Sequence, residues 1–153
     1  MQLTYSANPA PGVVGAVATG GIKPVIEPRI ADGVCRPGQY VVFGANGTCK
    51  HPTSAVTALT KGGLVVRKSY GINDGAYADK EPVDVLVEGE MFCAFESAIT
   101  ELAAVFVRHV AAGAEQLGAL RLDADGTDAV AVSGLRTKSA GTALVKVEVK
   151  PAA

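Results

Sequence analysis

The chain has 153 residues, enough for one domain of ordinary size. It is 48% hydrophobic but only 5% aromatic, with no Trp, so its apolar content is mostly Ala and Val. Fourteen basic against fifteen acidic residues give a formal net charge of -1, which together with the high apolar content excludes intrinsic disorder and strong phosphate-neutralising binding of nucleic acid.

Residues 1–33 hold four of the eight prolines, Pro9, Pro11, Pro24 and Pro28. These forbid a continuous helix and interrupt a strand ladder. The segment therefore reads as an extended N-terminal arm that packs on something else, with a short strand near Val13 to Val17. Its Val13, Val14, Val17, Ile22, Val25 and Ile26 would be costly to leave in water. The opening lacks the basic start of an export signal, and apolar runs such as Ala103 to Val107 are far shorter than the roughly 18 residues of a membrane span.

The remainder, 34–153, reads as a single β domain. Tyr40 to Phe43 is followed by Gly44 and the Asn46-Gly47 turn signal. Leu64 to Arg67 is a second run, SYGINDGAYADKEP a surface loop, and Val83, Val85 and Val87 alternate with Asp84, Leu86 and Glu88 before the run continues through Phe92. Such alternation places one set of side chains on each face of a pleated strand. FESAITELAA, with Ile99, Leu102 and Ala103 at helical spacing, is the one segment with helical character and predicts at most one brief helix, near 96–104. Strands follow at Val105 to Arg108, Leu117 to Leu122 and Ala129 to Val132, and the alternating Val145, Val147 and Val149 give the cleanest signal. The sum is a compact antiparallel all-β barrel or sandwich, jelly-roll-like, of about eight short strands. Val, Ala and Leu must fill its narrow interior.

Reactive groups are sparse. Cys35, Cys49 and Cys93 are an odd number at wide spacings, which fits neither a disulfide framework nor a zinc site, and they read as buried or half-buried thiols in a protein made in a reducing cytoplasm. His51 and His109 lack a nucleophile motif to complete a catalytic group and read as surface or strand-face residues. Asp123, Asp125 and Asp128 around Gly126 depart from the calcium-loop pattern and read as a turn. Arg29, Lys50, Arg67, Lys68, Arg108, Arg121, Arg136 and Lys138 read as a solvated surface on which Arg67-Lys68 can meet an acidic partner. No cofactor or metal is expected. The GINDGAY segment faintly resembles the uracil-nucleotide motif of trimeric β-fold nucleotidohydrolases, so the alternative is a small oligomeric β-barrel enzyme acting on a nucleotide with Asp74 and Tyr77 at its pocket. A virion-surface glycan-binding module is a further alternative, weakened by the few aromatics.

The order of motifs resembles that of the structural cement proteins of tailed bacteriophages. The resemblance runs from Tyr5-Ser6-Ala7-Asn8-Pro9 through GGLVVRKSYG (62–71), VDVLVEGEMF (83–92) and AVFVRHV (104–110) to GALRLDADGTDAVAVSGLRTKSAGTALVKVEV (118–149). Thr100 to Ala104 replaces that family's Pro-Gly-Asp turn, which favours a helical turn there. The resemblance implies a non-enzymatic capsid cement or decoration protein. It would bind the outer surface of the virion head as a homodimer or homotrimer, staple adjacent major capsid subunits against internal pressure, and contact neither nucleic acid nor membrane. The expected contact residues are Tyr5, Pro9, Val13, Val14, Ile22, Val25 and Ile26 on the arm, with Arg67 and Lys68.

Overall fold

The computed structural model describes residues 13–18, 21–67 and 75–151. Nine strands are present among them: β1 Val25–Ala31, β2 Tyr40–Phe43, β3 Thr48–Lys50, β4 Gly62–Val65, β5 Pro82–Cys93, β6 Ala104–Arg108, β7 Leu120–Arg121, β8 Ala129–Thr137 and β9 Val145–Val149. The lone α-helix is α1, Ala55–Ala58, started by a capping box between Ser54 and Thr57. The all-β expectation holds.

The strands run in the order β1-β3-β2-β4-β5-β9-β8-β6-β7, and β1 also pairs with β5. The first five therefore close into a small barrel, and β9, β8, β6 and β7 extend from the far half of β5 as a flanking sheet. The twelve-residue β5 serves both bodies. Its Val83 and Val85 fill the barrel with Ala31, Cys35, Val41, Cys49, Val65 and Tyr77. Its Leu86, Met91 and Cys93 join the larger core, with Leu64, Val105, Val107, Leu120, Leu135, Val145 and Val147. The change of pairing partner, from β1 to β9, falls at Gly89, which has a φ of 132° and packs close to Pro24. Small aliphatic residues fill the barrel, as a composition poor in aromatics requires.

Two expectations are corrected. No helix forms near 96–104: Ile99 bridges Gly141, and Leu102 has a φ of 59°. The helical spacing of Ile99, Leu102 and Ala103 is overridden because Thr137 takes the backbone, its Oγ1 donating to the Thr100 carbonyl at 2.7 Å and accepting from the Ala103 amide at 2.8 Å. The end of the segment read as an arm is β1, a stave of the barrel antiparallel to β5. Pro28 is tolerated there because only Ile30 and Ala31 pair on the other side, with β3. Upstream, Val17 bridges Met91, and the Gly15 amide donates to the Phe92 carbonyl at 2.8 Å.

Candidate binding surface

β1 carries its polarity the unusual way round. Cross-strand partners share a face, and Glu27 and Arg29 lie opposite Val85 and Val83, which point into the barrel. Their charges are contained there: Arg29 Nη2 meets Glu27 Oε2 at 2.6 Å, Lys61 Nζ meets Glu27 Oε1 at 3.2 Å, and the Arg29 guanidinium stacks 3.9 Å from the centroid of the Phe43 ring. The Arg29 and Lys61 charges hold the Glu27 carboxyl below its ordinary range. The opposite face turns Ile26, Pro28 and Ile30 outward; Ile26 is 43% and Ile30 39% exposed. An ordinary half-buried strand does the reverse.

Val25, 42% exposed, begins this strand and also lines a groove of about 410 Å3 between the barrel and the flanking sheet. Its other apolar walls include Leu59, Val87, Val132 and Val149. A second hollow brings Val13, Val14 and Arg67 together beside Arg36 and Pro37. The Arg67 amide donates to the Gly15 carbonyl at 2.9 Å, fixing this corner. Ile22 is half-buried and away from both sets of lining residues. The expected contact residues thus divide into a β1 set (Val25, Ile26) and a corner set (Val13, Val14, Arg67). Tyr5, Pro9 and Lys68 lie outside the described residues.

The basic residues read as solvated include two that are buried. Arg108 and Arg121 end β6 and β7 and share Glu96, which lies just past β5. Asp123, Asp125, Glu115 and Asp128 complete a network around them. These ion pairs and the Asp123 carboxylate, held low by Arg121, pin the short edge strand β7 and the turns around it. The available signals were Arg108 closing the apolar run VFVR and Arg121 standing between two leucines, with the acidic turn from Asp123 two residues on.

Both histidines are buried, against the surface reading. His51 Nδ1 donates to the Tyr40 carbonyl at 2.7 Å and Nε2 accepts from the Arg36 amide at 3.1 Å, so the neutral ring acts as a backbone bridge. Burial holds its pKa down at about 4. Tyr77, the aromatic of the nucleotide-enzyme alternative, is a barrel core residue whose hydroxyl donates to the Val66 carbonyl at 2.7 Å. Asp74 lies outside the described residues. Among the described residues, no cluster of three or more His, Cys, Asp or Glu is placed to hold a metal, and no helix is long and apolar enough to cross a membrane.

A barrel and flanking sheet on one shared strand define an all-β fold class that has a solved counterpart: a chain from "The capsid of Myoviridae Phage XM1" superposes with a TM-score of 0.73 at 17% identity, covering 98% of each chain. The family follows from the sequence itself. The model described as "Structural cement protein (E217 gp24/Pam3 gp6)" matches residues 1–150, and the chain belongs to that phage cement family, whose members stabilise the capsid. It is accordingly a virion structural protein associated with the capsid shell. No curated protein matches it.

Proposed function

We propose that this chain sits on the outer surface of the phage head as an oligomer and staples adjoining major capsid subunits, with the outward face of β1 as its principal contact. The observation that carries this reading is the inverted polarity of β1: Glu27 and Arg29 are held on the barrel side while Ile26, Pro28 and Ile30 face out. Removing that stripe from water on a capsid surface contributes about 25 cal/mol per Å2 of apolar area. The Val13–Val14–Arg67 corner is a second contact, and the chain ahead of Val13, with Tyr5 and Pro9, reaches a neighbouring subunit. Lys68, next to Arg67 in sequence, is a further candidate for contact with an acidic partner. A dimer or trimer engages several subunits at once, so modest contacts become strong through effective concentration. Family membership supports a structural rather than enzymatic role.

The test is rebinding to heads stripped of this protein. The double substitution Ile26→Asp and Ile30→Asp falls on exposed positions, so the variant is expected to unfold in urea near the wild-type midpoint. It is expected to leave heads undecorated and heat-labile. Wild-type decoration by this variant overturns the β1 contact. Removing residues 1–12 retains β1 and tests the forward segment separately.

A further inference from the structure

The barrel's one parallel seam, between β1 and β3, is short and lies beside two thiols. β1 and β3 pair only through Ile30 with Thr48 and Ala31 with Cys49, supported by the Asp32 amide donating to the Cys49 carbonyl at 2.8 Å. Cys35 follows β1 by four residues and packs against this seam. It and Cys49 are wholly out of solvent. The Cys35 Sγ lies 3.8 Å from the Cys49 carbonyl oxygen and 3.9 Å from the Gly33 carbonyl oxygen.

The two thiols are not equivalent. The neighbouring Cys49 side chain and burial both hold the Cys35 proton on. The Cys35 side chain beside it and the Arg29 guanidinium shift Cys49 the other way, toward its thiolate. Cys93 sits in the other core, with burial pushing its thiol up and its hydrogen bond going to the Met91 carbonyl. An open hollow lined by Gly33, Val34, Arg36 and Lys50, the chain neighbours of both seam cysteines, brings solvent close to the pair. The Cys35 backbone is held to Tyr77 by a pair of hydrogen bonds, so the approach of the two sulfurs falls to rotation of their side chains. That approach is needed because bonded sulfurs stand about 2.05 Å apart.

We propose that Cys35 and Cys49 form an oxidation site, at which a hydroperoxide such as hydrogen peroxide installs an internal disulfide across the barrel seam. The Cys49 thiolate attacks one peroxide oxygen, the O–O bond breaks, and the departing hydroxide leaves as water with the proton Cys49 gave up. Cys49 is then a sulfenic acid. The Cys35 sulfur attacks the Cys49 sulfur, the S–O bond breaks, and the hydroxyl leaves as a second water with the Cys35 proton. Two thiols lose two electrons and two protons, and one peroxide becomes two waters. The disulfide closes the barrel covalently at its two-pair parallel seam. It forms when the protein passes from a reducing to an oxidising medium.

The test uses the full reduced chain treated with hydrogen peroxide and then alkylated in denaturant. Alkylatable thiols are expected to fall from three per chain to one, with Cys93 the survivor. The intact mass should drop by two hydrogens. Chymotryptic peptides carrying Cys35 and Cys49 should be joined until dithiothreitol separates them. The melting temperature should rise by roughly 5 °C and return on reduction. In Cys35→Ser the joined peptide should vanish, and dimedone should capture Cys49 as its sulfenic acid. Cys35 and Cys49 still alkylatable under peroxide that oxidises the methionines would overturn the proposal. So would Cys49 carried to sulfinic acid with no joined peptide in the wild-type chain, a result independent of how the variant folds and of any capsid contact.

Discussion

Arg108 grips Glu96 at two points, Nε to Oε1 at 2.8 Å and Nη2 to Oε2 at 2.9 Å, with the arginine side chain fully removed from solvent. The same Nη2 reaches Asp125 Oδ2 at 2.6 Å and Glu115 Oε2 at 2.9 Å, while Nη1 donates to the Val110 carbonyl at 3.2 Å. One side chain thus ties together the segment after β5, the β6–β7 connection and the turn before β8. Deleting it leaves the Glu96 carboxylate, whose side chain is only 14% exposed, with Arg121 as its remaining cation. Arg108→Ala is expected to cost about 3–5 kcal/mol. Arg108→Lys should recover only part, because an ammonium cannot make the two-point contact. Urea unfolding of the three proteins checks both, and a loss under about 1 kcal/mol for the alanine variant would mean the network holds nothing together.

His51 predicts a pH dependence whose sign is fixed by its bridge. Burial lowers its pKa from 6.5 to about 4 in the folded chain. Between those values the unfolded chain binds the proton and the folded chain does not. The stability is therefore full above about pH 6.5 and falls as pH drops toward 4, by up to about 3 kcal/mol. His51→Gln removes the titrating group. Its melting temperature should fall less than the wild type's between pH 7 and pH 4.5, and equal falls would remove His51 from the acid response.

The elements legible in sequence were those with local signals. Tyr40–Phe43 lies between turns, Val83 to Phe92 alternates, and Val145 to Val149 alternates in full, and all three are strands. β1 was hidden because Pro24 and Pro28 argue against a ladder, and only the long-range pairing with β5 shows that Pro28 needs a partner on one side alone. β3 is three residues long, too short for a period to register. The predicted helix failed against Thr137, some 35 residues distant, a contact no window on 96–104 contains. On the binding surface, Val25 and Ile26 were identified from the cost of exposing them. The inversion of polarity that makes their strand distinctive required the register, because Glu27 and Arg29 read as solvent-facing until Val85 and Val83 are set opposite them.

Gly118 is a turn glycine with a second duty. Its φ of 81° lies in the left-handed region, and a Cβ there would collide with His51 Nδ1 and the Tyr40 carbonyl, the two atoms joined by the His51 hydrogen bond. The Tyr40 amide, moreover, donates to the Gly118 carbonyl at 2.9 Å. Gly118→Ala is expected to lose at least about 2 kcal/mol, combining left-handed strain with displacement of the imidazole. Gly126→Ala is the control, since its φ of 69° is comparable but nothing lies within 4 Å of the added carbon. The difference between the two variants in urea midpoint isolates the collision, and equal losses would reduce Gly118 to an ordinary turn residue.

Thr137 offers the sharpest test of why the 96–104 segment is not helical. Its side chain is fully buried, and Oγ1 accepts from the Ala103 amide while donating to the Thr100 carbonyl, so one hydroxyl satisfies both sides of the bend. The backbone adds a bond from the Leu102 amide to the Thr137 carbonyl at 3.0 Å, which side-chain substitution leaves in place. Thr137→Val keeps the shape and removes the hydroxyl. It leaves the amide of half-buried Ala103 without this partner and the carbonyl of exposed Thr100 to water, at a cost of about 1–3 kcal/mol. Thr137→Ser keeps the hydroxyl and sheds only a methyl, for about 1 kcal/mol. Amide hydrogen exchange at Ala103 should quicken in the valine variant and stay near wild type in the serine variant. Unchanged protection at Ala103 in both would show that β6 and β8 fix this corner without the hydroxyl.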